Sequence, residues 1–154
     1  FYQVLKRYYA HGDEEFIIDS SLQGVKVRDI GELSNLKGVS YLQSILAFRP
    51  EISSDKKEQF IYQALKQVDK KYDFDLLTFN RDSLYCSELL YTAFKEIGIK
   101  FEISRRLANR KILIPSDIVQ SIIHKGVSRD AFSFLFFIEK KQYKIVEHSV
   151  RELM

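Results

Sequence analysis

The apolar residues of this chain come in short runs, and that limits what it can build. The longest, such as Phe134–Ile138, are strand-sized. None approaches the roughly 18 residues that a membrane-crossing helix needs. A core must therefore be assembled from several short elements folded back on one another. The 154 residues fit one domain on the usual scale of roughly 100–200 residues. A chain of this size buries roughly 68–70% of its unfolded surface, enough for a core without staples. The expectation is one domain over 1–154.

With only 6 Gly and 2 Pro, against 45% hydrophobic and 29% charged residues, collagen-like, low-complexity and disordered classes are excluded. Aromatic side chains are abundant, with 12 Phe and 9 Tyr but no Trp. The net charge of +3 is a weak, interspersed surplus, so no nucleic-acid partner is expected. The single cysteine, Cys86, rules out an intrachain disulfide and a cysteine-built zinc site. The chain opens on Phe1 inside a strand-like run, so it reads as a fragment cut from a longer protein.

Turn residues divide the chain. Residues 1–9 and 15–19 are rich in aromatic and β-branched side chains, and the Gly12-Asp13 cluster between them signals a hairpin. A second turn at 20–24 leads into Val25-Lys26-Val27. A strand over Val39–Phe48 closes at Arg49-Pro50, because proline cannot donate to a ladder. Asp55, with Glu58 three residues on, then reads as the N-cap of a helix. Its face is Phe60, Ile61, Ala64, Leu65 and Val68, and Lys66, Lys70 and Lys71 suit its end. From Ser87 onward, Leu89, Leu90, Ala93, Phe94 and Ile97 mark a second helix, with Gly98 as its left-handed terminator. Pro115-Ser116-Asp117 begins a short helix to about His124. Phe132–Glu139 and Tyr143–Val150 form a final hairpin, 132–150. The sum is an α+β chain in which antiparallel strands, in a small barrel-like or curved sheet, pack against two main helices.

Cys86 falls in the first turn of the second helix. Unpaired N–H groups and the positive dipole end stabilise a thiolate there and can hold a developing oxyanion. A free cysteine is equally at home as a small buried hydrophobe. Glu88 suits the same helix end as a cap, and would oppose a thiolate unless it turned elsewhere. A cysteine hydrolase also needs an imidazole. Of the three histidines, His11 lies in a turn, His124 at a helix C-terminus and His148 on a terminal strand beside Glu147. No pair has metal-ligand spacing, so neither metal nor other cofactor is expected. Asp19 follows Phe16-Ile17-Ile18 and precedes two serines, so it reads as a turn-former or as the partner of a catalytic imidazole.

Four stretches carry a further signal: FIIDSSLQGVKVRDIGEL (16–33), SILAFRP (44–50), the segment from Tyr72-Asp73-Phe74 through Tyr85-Cys86-Ser87-Glu88-Leu89 to Gly98, and IPSDIV (114–119). Their order and spacing resemble the permuted NlpC-type cysteine hydrolases, the YiiX/YebB/YaeF-like branch of the papain-like enzymes. The resemblance runs to about residue 122 and implies a circularly permuted papain-like fold.

It also implies roles. Cys86 matches the family nucleophile. Asp19 matches the acidic residue that orients the imidazole, with Asp in place of Glu. The family histidine has no match among these residues; its expected place is just before Phe1, and the turn setting of His11 does not fit. Tyr85 and Tyr72 are candidates to line a substrate cleft. The implied partner is a peptide, cell-wall or acyl-amide substrate, attacked at its amide carbonyl by the Cys86 thiolate. Two other outcomes fit the same residues: a catalytically silent binding or structural domain, and a thiol-dependent acyltransferase.

Overall fold

The computed structural model describes residues 16–29, 44–76, 82–102, 105–107, 110–124, 131–141 and 144–148. The expected strand over 1–9, the start of the strand at Val39–Gln43 and the ends of the last strand lie outside them. The chain separates into two compact units: Phe1–Phe16, Asp29–Glu51 and Phe132–Met154 in one, Ile17–Arg28 and Ile52–Ala131 in the other.

The first unit holds a three-stranded antiparallel sheet. Its strands are β3 (Ser44–Pro50), β6 (Phe132–Lys141) and β7 (Lys144–His148), in the order β3-β6-β7. The apolar run of β6 explains its central place, since alternate side chains serve opposite faces. Phe136 and Ile138 are fully buried on one face. Phe134 meets Phe48 edge-on at 6.0 Å. On the other face Phe137 stacks on its register partner His148 at 5.0 Å. The His148 ring also sits 2.8 Å from Glu139. Pro50 is the last residue of β3, opposite Phe132, as the proline predicts. The register slips once, between Ala47 and Phe48.

The second unit carries the remaining elements, apart from Phe16 and Asp29 at the open end of the first hairpin. They are the hairpin β1 (Phe16–Ser21) and β2 (Gly24–Asp29), helix α1 (Ser54–Leu65), helix α2 (Cys86–Glu96), the short hairpin β4 (Arg105–Leu107) and β5 (Arg110–Ile112), and helix α3 (Pro115–His124). Gly24 is required where it stands. Its φ is +88°, and a Cβ there would lie 2.4 Å from the Lys70 carbonyl oxygen. That close approach lets Val25 N–H donate to Lys70 O and Asp69 N–H donate to Val25 O, both at 2.9 Å, which ties β2 to the turn after α1. A small core of Val25, Leu84 and Leu89, with Ile18 and Val68 against it, joins the β1–β2 hairpin to α2. The two longer helices meet where the Phe60 and Phe94 rings lie 4.5 Å apart, and Phe94 takes Phe101 edge-on at 5.3 Å.

Several expectations change. The described strands form three separate antiparallel sheets and close no barrel. The N-cap of α1 is Ser53, with Asp55 inside the first turn. Ile61 and Leu65 are exposed, so the apolar face of α1 is narrower than its spacing suggests. The helix stops at Leu65, leaving Lys66, Lys70 and Lys71 outside it. The β4–β5 hairpin was not anticipated.

Candidate active site

Helix α2 begins at Cys86, and its N-cap, Tyr85, is extended with φ −90° and ψ 168°. The thiol is exposed. The residues on either side of it are not. Tyr85, Ser87 and Glu88 are 3%, 3% and 1% exposed. A short buried frame therefore presents one side chain outward.

Three hydrogen bonds build that frame. The Tyr85 N–H donates to Glu88 Oε2 at 3.4 Å, closing the first turn of α2 from below. The Tyr85 hydroxyl accepts the Leu113 N–H at 3.1 Å, fastening the N-cap to the chain leading into α3. Ser20 Oγ donates to Leu84 O at 2.7 Å and so anchors β1 two residues before the cysteine. Glu88 thus caps the helix, as its position suggests, and its carboxylate is turned back toward the Tyr85 amide. The start of α3 repeats the device. Asp117, three residues on, accepts the Ile114 N–H at 3.3 Å.

The opening amides of α2 remain open. Tyr85 O accepts from Glu88 N and Leu89 N. Among the described residues no acceptor takes the N–H of Cys86 or Ser87. Two donors at the positive end of a helix dipole thus adjoin the thiol, an arrangement that can hold an anionic oxygen. The sulfur itself lies 3.8 Å from Ser87 Oγ.

Tyr72 lies on a segment that pairs with the one leading to Cys86. Lys71 bridges to Ser83, and Leu84 N–H donates to Lys71 O at 3.0 Å, so the two segments run side by side. Burial, then negative charge at Cys86, then negative charge at Asp73 push the Tyr72 phenol above its ordinary value of 10.0. The Tyr72 ring takes Phe74 edge-on at 5.0 Å, and Phe74 is itself exposed. Asp73 is buried; its Oδ1 accepts the Asp75 N–H at 3.0 Å, and its Oδ2 has no partner among the described residues.

The structure therefore runs the Tyr72 segment alongside the one that leads to Cys86, and the phenol feels negative charge there. It gives Tyr85 a different place from the cleft wall the sequence suggested: the side chain is buried and its hydroxyl is engaged by Leu113. Asp19 lies within β1 and not in the turn, which is formed by Leu22 and Gln23. Its Oδ1 accepts the Arg28 Nε–H at 2.8 Å. Sequence reasoning missed this pairing, and missed the work of the Tyr85 hydroxyl. The alternation of charged and apolar residues in β2 offered a signal for the first. Nothing local signalled the second. Of the histidines, His148 belongs to the β6–β7 hairpin, His124 closes α3, and His11 lies outside the described residues.

An α+β chain with an exposed thiol on the first residue of a buried, amphipathic helix has the layout of the papain-like class. The model of one family, the permuted papain-like amidase enzymes YaeF/YiiX, C92 family, matches residues 6–145, and the chain belongs to that family. The family is one of papain-like amidases, and at that level the chain has a cysteine amidase fold. Neither the curated proteins nor the solved structures gave a match. Among the described residues, no helix is long and apolar enough to cross a membrane.

Proposed function

We propose that this chain is a cysteine amidase that cleaves peptide, cell-wall or acyl-amino amide bonds through a thioacyl intermediate on Cys86. The exposed thiol on the first turn of α2, beside two amides that have no acceptor among the described residues, carries the reading. An imidazole base, oriented by Asp19, takes the thiol proton. The thiolate sulfur attacks the amide carbonyl carbon, and the charge that moves onto oxygen is met by the N–H groups of Cys86 and Ser87. Tyr72, kept protonated beside the thiol, supplies a further donor. The C–N bond breaks as the imidazolium gives its proton to the leaving amine. Water then attacks the thioester, releasing the acid and restoring the thiol. Tyr85 serves from behind, as the strut that fixes the backbone of the nucleophile.

The test is a panel of peptidyl, muropeptide and fatty-acyl coumarin amides offered to the full-length protein and to its Cys86→Ala variant. Turnover with a trapped thioester on the wild type, and none on the variant, is the expected result. Activity that survives Cys86→Ala overturns the mechanism. Passage of the acyl group to added amine in preference to water would make the protein an acyltransferase.

A further inference from the structure

Helix α1 is apolar on two sides. One side, through Phe60 and the buried Ala64, packs toward α2, where the Phe60 and Phe94 rings lie 4.5 Å apart. The other side has no such cover: Ile61, Tyr62 and Leu65 are 53%, 59% and 47% exposed. Their spacing places them side by side on the helix surface. A helix that covers a core needs one apolar stripe, with polar residues opposite. Exposed apolar side chains scattered singly are ordinary, but a contiguous set marks a surface that meets something other than water. The charges beside this set are one-sided. Lys66 Nζ stands 5.6 Å over the Tyr62 ring. Lys70 and Lys71 follow beyond the helix end, and Lys71 is exposed. The single acid between Ile61 and Lys71 is Asp69, which Lys26 takes up at 2.6 Å. The acids of α1 itself, Asp55 and Glu58, lie toward its opposite end. The stripe therefore runs into a positive end.

We propose that this end of α1 docks on a membrane surface rich in anionic lipid, with Ile61, Tyr62 and Leu65 set among the headgroups and Lys66, Lys70 and Lys71 meeting the lipid phosphates. The proposal stands independently of the amidase reading. Area and residue type both select lipid. A stable protein interface buries about 800 Å² on each partner, and three side chains fall far short of that. A helix lying at a lipid surface needs less: a few apolar side chains sunk to the headgroup boundary, and cations drawn to anionic lipid. Tyrosine, with an apolar body and a polar tip, suits such a boundary, as does lysine with its long apolar stem. The cations also fit one partner charge, since the lysines outnumber the acid among them. Lys71 pairs with Ser83, three residues before Cys86. A lipid surface held here thus adjoins the end of α1 that leads toward the thiol.

The full-length protein is mixed with sucrose-loaded vesicles of phosphatidylcholine alone, or of phosphatidylcholine with phosphatidylglycerol, and the bound fraction is read by sedimentation at rising salt. Binding to the anionic vesicles that falls as salt rises is expected, with little binding to the neutral ones. Ile61→Ser combined with Leu65→Ser should weaken it at least about tenfold, because two apolar side chains no longer enter the boundary. Lys66→Gln and Lys71→Gln should each cost about fivefold, the share of one cation near an anionic surface. The chain has no Trp, so Tyr62→Trp supplies a single reporter whose emission should move to the blue on the anionic vesicles. No sedimentation at low salt overturns the proposal. So does binding that the Ile61 and Leu65 substitutions leave intact, or an emission that stays put while the protein sediments. Equal binding to neutral vesicles overturns it as well, since the lysines would then contribute nothing. If the wild type ignores vesicles but self-associates in the ultracentrifuge, and Ile61→Ser dissociates it, a second copy occupies the stripe and lipid does not. The substituted positions are all exposed, so the fold should survive, as melting curves would show. Ile61→Gln with Leu65→Gln replaces the serine pair should that one unfold.

Discussion

Helices α1 and α2 start in opposite ways. At α1, Ser53 stands in the N-cap position with no side-chain bond to the helix, and residues 53–59 are all exposed. At α2, the cap residue is buried, Glu88 closes the first turn, and a hydroxyl from Tyr85 reaches across to Leu113. Both helices are amphipathic and of similar length, with 12 and 11 residues. The difference therefore does not come from helix formation as such. It lies in what must stay still. A helix that only covers a core can fray at its tip. One that presents a thiol to a carbonyl, as proposed for α2, needs its first residue fixed, because small misplacements of a reacting atom are costly in rate.

The sharpest way to break this contrast is Glu88→Ala. It leaves the buried Tyr85 N–H without its acceptor and opens space in a packed site. A loss of about 2–3 kcal/mol in urea unfolding is expected, combining an unsatisfied donor with a small cavity. A change below about 0.5 kcal/mol would mean that the start of α2 is no better secured than that of α1. Tyr85→Phe is the gentler version. It keeps the ring and removes the hydroxyl that accepts the Leu113 N–H, so about 1–2 kcal/mol is expected. It should also loosen the approach to α3, read as faster amide exchange at Leu113.

How much of this was legible in the sequence depends on distance along the chain. Helix α2 was plain, because Leu89, Ala93, Phe94 and Ile97 repeat at helical spacing and all four are buried. Gly98 ends it at φ +86°, as a left-handed terminator should. The cap role of Glu88 is local and was readable for the same reason. The cap of α1 was misplaced by two residues, since Ser53, Ser54 and Asp55 are all good caps and spacing cannot rank them. The β4–β5 hairpin escaped because its strands are three residues each and carry Arg105, Arg106 and Arg110, too short and too charged for an alternating pattern. Contacts that join distant segments were invisible. The Tyr85–Leu113 bond spans 28 positions and the Ser20–Leu84 bond spans 64. The exposure of Cys86 was likewise undecided, because a cysteine at a helix start fits both a core and a cleft.

The neighbourhood of the thiol can be sharpened without any substrate. Negative charge at Cys86 is one of the causes that hold the Tyr72 phenol above its ordinary value, after burial. Cys86→Ala removes it, so Tyr72 should ionise at lower pH than in the wild type, followed by its ring NMR signals in an alkaline titration. The sign has a consequence for stability. A phenol whose ionisation is pushed up in the folded state favours folding fully below 10.0, and that contribution fades as pH rises beyond it. The variant should lose less of it. An unchanged Tyr72 titration would place the phenol away from the sulfur.

The smallest effect belongs to α1 and completes the contrast. Replacing a serine N-cap by alanine ordinarily costs about 1 kcal/mol, because the side-chain oxygen leaves a helix N–H unpaired. Ser53 makes no such bond. The bond that does open the helix, Lys57 N–H to Ser53 O at 2.9 Å, is backbone and survives the change. The surrounding residues are exposed, so water satisfies the first amides before and after. Ser53→Ala is therefore expected to move the urea midpoint by no more than about 0.5 kcal/mol equivalent, with thiol reactivity untouched. A loss near 1 kcal/mol would mean that the serine hydroxyl does cap α1 in solution. The two helix starts would then be fastened to similar degree, and the rigidity at Cys86 would no longer set that helix apart.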